Sequence, residues 1–167
     1  MEKLLLKLES ALQRQIVAHE QLLALLKQKL DACRRADHAR MNELMKDENK
    51  SLQEIGEIEK ERLTLVAHLT QAMDPKATEP LRMGDLAEKL NEPARSRVLL
   101  LRLKLRDRMQ QVQRESRVIR LASEQLLRHM QGIVQTIGGA MTGISTYGRT
   151  GTPPQNAGAV STFTAVA

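Results

Sequence analysis

Apolar residues recur in steps of three and four along most of this chain. Leu5, Leu8, Leu12, Ile16, His19, Leu22, Leu26, Leu30 and Cys33 form the first series, with Leu4, Leu23 and Leu25 widening it. That spacing keeps one stripe on one helical face. No Gly or Pro interrupts it, so the pattern predicts a helix over about 2–33, roughly 45 Å long at 1.5 Å per residue. Asp31 to His38 is polar, either a bend or the solvated part of one longer helix. A second helix is predicted over about 36–73 from Met41, Leu44, Met45, Leu52, Ile55, Ile58, Leu65, Val66, Leu69 and Met73. Its centre is weakened by the polar gap from Lys46 to Ser51 and by Gly56.

The pattern breaks in the connector 74–93, which holds Pro75, Pro80, Gly84 and Pro93. One short helix, about 85–91, fits inside it, with Gly84 or Asp85 as its cap. The last helix is predicted over 94–137 from Val98, Leu101, Leu105, Met109, Val112, Ser116, Ile119, Ser123, Leu126, Met130, Ile133 and Ile137. Such sustained spacing is a coiled-coil or bundle seam. After Gly138 and Gly139 the composition turns to Gly, Thr, Ser, Ala and Pro, which predicts a flexible tail over 142–167 following a helical domain over 1–141. The expected fold class is all-α: an elongated antiparallel helical bundle or coiled coil with a disordered C-terminal tail.

Composition supports that class. The chain has no Trp, and its aromatic residues are Tyr147 and Phe163, so the body packs with aliphatic side chains and Met. Sheets and ligand pockets favour β-branched and aromatic residues instead. Cys33 is the single cysteine, which excludes an intrachain disulfide and suits a reducing compartment. The charged opening residues lack the apolar core of a secretion signal. No run reaches the roughly 18 apolar residues of a membrane span. A cytoplasmic protein without membrane insertion is expected.

Candidate chemistry is sparse. His19, His38, His68 and His129 lack neighbours at metal-ligand spacing, and His19 reads as a seam residue. Glu57, Glu59 and Glu61 read as a solvated charge run. No catalytic residue, metal or cofactor is expected, and the chain does not read as an enzyme. Between Arg95 and Arg128 ten basic residues face three acids. This is either the solvated face of the long helix or a surface for an acidic protein. With no interleaved aromatics and no recognition motif, a nucleic-acid partner is not expected.

Binding is expected further on. No formal charge occurs from His129 to Gly148, and three adjacent helical columns there carry apolar residues: Leu126, Ile133 and Ala140; Leu127, Val134 and Met141; Met130, Ile137 and Ile144. The stripe is broader than one seam requires. It either docks on the chain's own first helix or receives a partner helix. Leu126, Leu127, Met130, Ile133, Val134, Ile137, Met141 and Ile144 are therefore the candidate protein-binding residues.

The order of these features resembles the FlgN family of flagellar type III export chaperones. The signposts are His19-Glu20-x-Leu22-Leu23, Leu44 followed by Lys50 and Leu52, Ile58 with Arg62, the Leu86-Ala-Glu-Lys-Leu90 box and Tyr147-Gly148-Arg149-Thr150-Gly151. The pattern departs from the family at Glu115-Ser116-Arg117, where members often carry asparagines. The resemblance implies an export chaperone that binds flagellar hook-associated (filament junction) proteins, keeps them unassembled and delivers them to the cytoplasmic domain of the export gate. Tyr147, with Gly148 and Gly151, is the candidate gate contact under that resemblance, or else merely caps the helical region. A coiled-coil scaffold that self-associates as a homo-oligomer is the alternative, followed by a basic nucleic-acid-associated helical protein.

Overall fold

The computed structural model describes the backbone of residues 1–141 and the side chains of residues 1–138. These residues form four helices and no strand: α1 (Glu2–Arg34), α2 (His38–Met73), α3 (Met83–Glu88) and α4 (Ala94–Met141). The all-α class is therefore correct. The short helix begins two residues before the expected start and ends at Glu88, and the last helix runs four residues past its expected end. The tail over 142–167 lies outside the described residues. Packing divides the chain into two units, Met1–Leu126 and Leu127–Ala167.

The first unit is built on heptads. Leu5, Leu12, His19, Leu26 and Cys33 of α1 are buried seven residues apart, and Leu8, Gln15 and Leu22 fill the intervening positions. On α2, Leu44, Ser51, Ile58 and Leu65 repeat with the same period. On α4, Val98, Leu105 and Ile119 are buried, with partly buried Val112 completing the series. A strict period of 3.5 is the signature of knobs-into-holes packing. It also corrects the expected stripe of α1. A period of 3.6 selects Ile16, whereas the heptad turns Gln15 inward at 3% exposure and leaves Ile16 partly buried. Ala11, Ala18 and Ala32 flank the seam and are buried, which lets neighbouring helices approach closely.

Cross-helix polar pairs fix direction. Arg14 pairs with Glu61 and Lys29 with Glu48, so α1 and α2 are antiparallel. Glu9 pairs with Arg97 at 3.0 Å and Glu20 with Arg108 at 2.9 Å, an offset of 88 residues each time, so the first part of α4 runs parallel to α1. Solvated pairs such as Arg14–Glu61 and Glu20–Arg108 contribute under about 1 kcal/mol each and serve register more than stability. Stability comes mainly from the aliphatic core, where Leu8, Leu12, Leu69, Leu86 and Leu105 cluster at one end and Leu22, Leu26 and Ile119 at the other.

The turns have identifiable closures. Ala36 adopts φ 53°, and the amides of Ala36 and Asp37 donate to the carbonyls of Cys33 and Ala32. This is the paired arrangement that ends a helix in the left-handed region. Asp37 then caps α2 by accepting from the amide of Arg40 at 3.0 Å. The break expected as one alternative between Asp31 and His38 is thus a defined turn. Beyond α2, the buried Thr70 hydroxyl donates to the Val66 carbonyl and accepts from the Leu81 amide, which folds the proline-containing connector back onto α2.

Candidate functional site

The second unit, in its described part, is the helical stretch from Leu127 to Met141. Leu127, Met130, Ile133, Val134 and Ile137 are 41–68% exposed. At 100° per residue they cover an arc of about 120° and a length of about 15 Å. Leu126, the last residue of the first unit, is partly buried. Of the candidate binding residues, Met141 ends α4 but its side chain lies outside the described residues, as do Ile144, Tyr147, Gly148 and Gly151.

Such exposure has a physical consequence. Apolar side chains scattered over a surface need no explanation, whereas a contiguous stripe marks an interaction surface. Covering a half-exposed Leu, Ile, Val or Met contributes about 1 kcal/mol, so the five together offer roughly 5 kcal/mol before the costs of association. That suits reversible binding. Thr136 donates its hydroxyl to the Gly132 carbonyl, so this polar side chain is satisfied within the helix rather than needing a partner.

Inside the first unit lies a polar layer that the sequence did not reveal. Gln15 donates its amide to a Glu59 carboxylate oxygen at 2.8 Å, and Arg62 grips the same carboxylate with two hydrogen bonds. The Arg62 hydrogen bonds hold the Glu59 carboxyl below its ordinary value, against desolvation by burial, with Gln15, the Arg62 charge and His19 adding to the shift. Glu59 is therefore not simply one of a solvated run, although Glu57 is, at 73% side-chain exposure. His19 is buried as expected of a seam residue, and its Nδ1 donates to the Gln15 carbonyl at 2.7 Å. Above this layer opens a groove walled by α2 and α4, including Leu52, Gly56, Arg102 and Met109. The sequence offered a faint signal for it: Leu52 falls one place off the heptad of Leu44 and Ile58, and Gly56 sits mid-helix without a turn to justify it.

Among the described residues no cluster of His, Cys, Asp and Glu is placed to hold a metal ion. No helix among them is long and apolar enough to cross a membrane. A family model described as the FlgN protein matches residues 1–155. The chain belongs to the FlgN family. This is a family of flagellar export chaperones, so the chain is placed among proteins of flagellum biogenesis. The FlgN match extends through the exposed stripe and the Tyr147 to Gly151 motif. No curated protein and no solved structure matches the chain.

Proposed function

We propose that this FlgN-family chain is a cytoplasmic chaperone of type III export in a bacterium. It binds flagellar hook-associated proteins through the stripe from Leu126 to Ile144, keeps them unassembled and brings them to the export gate. The observation that carries the reading is the exposed apolar run from Leu127 to Ile137, without a carboxylate among its residues. An amphipathic helix from a substrate, prone to self-assembly once free, is covered by a complementary apolar helix face. Neither a nucleotide nor covalent chemistry is needed. Tyr147, beside Gly148 and Gly151, is the residue proposed to meet the gate, since it is the chain's one tyrosine and follows the stripe directly.

The test is a variant carrying Leu127→Asp, Ile133→Asp and Ile137→Asp, titrated calorimetrically with the terminal segment of a hook-associated protein. Losing the roughly 3 kcal/mol offered by three half-exposed side chains lowers affinity by more than about a hundredfold, with the thermal midpoint unchanged. Full affinity in the triple variant removes the stripe from the reading. Sedimentation of the same variant separates the scaffold alternative, in which an oligomer of the parent chain dissociates with no flagellar protein present.

A further inference from the structure

The groove between α2 and α4 has a volume of about 630 Å³. Its floor is Leu12, Gln15 and His19 of α1. Its walls run from Leu52 to Arg62 and from Arg102 to Gln113, each about 15 Å, or three helical turns. Leu52 on one wall is 48% exposed and Met109 on the other 43%. The helices thus leave apolar side chains on both sides of an open channel.

Gly56 lies midway along the α2 wall. A Cβ placed there meets no atom within 4 Å, so nothing in the fold requires the missing side chain. A glycine in a helix interior nevertheless costs about 1 kcal/mol relative to alanine. Its effect is clearance for something that approaches the backbone closely. Charge says what that is. Three arginines line the groove against one glutamate, and Glu59 is already committed to Gln15 and Arg62. Arg102 and Arg106 have no carboxylate partner among the described residues.

We propose that this groove is a second docking site, for an amphipathic helix of a protein partner whose carboxylates lie along the edge facing Arg102 and Arg106. The lining has no Phe, Tyr or Trp on which a base could stack, and His19 is buried in the floor at 6% exposure, which disfavours a nucleic-acid strand. A second copy's exposed α4 stripe does not match either, because Leu127 to Gly138 contains Arg128 and no acid. The groove is lined by residues of the first unit alone, and the proposal stands whether or not the stripe binds junction proteins.

The test uses the full chain with Leu127→Asp, Ile133→Asp and Ile137→Asp, so that the stripe cannot contribute. Two labelled synthetic helices of about five turns, one with Leu along one face and Glu along the adjoining edge, the other with Lys in place of Glu, are titrated by fluorescence anisotropy. The Glu-edged helix binds at least about tenfold more tightly than the Lys-edged one. Gly56→Leu fills the groove and weakens that binding about tenfold or more, while the thermal midpoint holds or rises because leucine is the better helix former. Arg102→Glu with Arg106→Glu reverses the preference between the two helices. Equal binding of both helices, no binding of the Glu-edged one, or an unchanged affinity in Gly56→Leu overturns the proposal. So does a parent dimer that Gly56→Leu dissociates, since the occupant is then a second copy.

Discussion

At the scale of single residues, the polar layer decides how this core responds to acid. Glu59 is held below its ordinary value of 4.5, first by the Arg62 hydrogen bonds and then by Gln15. A carboxylate whose folded pKa is lowered contributes stability that is fully present above the unfolded value and is lost as pH falls through the folded one. The urea midpoint of the parent chain should therefore drop between about pH 5 and about pH 3 by more than that of Glu59→Gln. Parallel urea titrations at the two pH values check this, and equal drops would show that Glu59 gains nothing from its partners in the fold. The layer also carries an orphan: the Gln15 Oε1 is buried without a hydrogen-bond partner. The amide cannot simply turn over, because the ionised Glu59 needs the donor. Polar groups inside a heptad core are a known device for fixing register, at a cost in stability.

At the scale of elements, the turn between α1 and α2 carries a correctable strain. Ala36 sits at φ 53°, where a Cβ costs about 1 kcal/mol and glycine is at ease. Ala36→Gly should raise stability by about 0.5–1 kcal/mol, partly offset by the greater freedom of glycine in the unfolded chain. A rise of a few degrees in the thermal midpoint is the readout, and a fall would mean that the turn is held by its hydrogen bonds without strain. The sequence offered a bend between Asp31 and His38 as one alternative, but nothing in it placed a left-handed residue at Ala36. The helices themselves were legible because leucine recurrence over thirty or more residues leaves few alternatives. What failed was the phase. Steps of three and four fit both 3.6 and 3.5 residues per turn, and only the supercoiled packing of α1 selects Gln15 over Ile16 and places Ser51 between Leu44 and Ile58. Glu59 was misjudged because the same slip on α1 hid its partner Gln15, which reaches it only once turned inward. The exposure of Leu127 to Ile137 has a counterpart in the sequence, the run without formal charge that begins at His129, because apolar columns there can be read without any packing. The groove required two helices to be placed first.

At the scale of the whole molecule, stability and binding are drawn from different residues. Every buried hydrophobic side chain among the described residues lies between Leu5 and Ile119, whereas residues 127–138 are exposed throughout. Removing residues 127–167 therefore takes away no described core side chain. Surface losses of this kind stay within about 0.5 kcal/mol. A chain ending at Leu126 should keep the urea midpoint and slope of the parent, since the area exposed on unfolding per cooperative unit hardly changes. Its two proposed surfaces should then come apart. Binding of the hook-associated segment should vanish with the stripe, while the Glu-edged synthetic helix should bind as tightly as it does to the full chain with the three stripe aspartates, because Leu52, Gly56, Arg102 and Met109 all remain. A lowered slope in the shortened chain would mean that residues beyond Leu126 belong to the cooperative core. Simultaneous loss of both ligands at an unchanged midpoint would mean that one continuous surface, rather than two, receives partners.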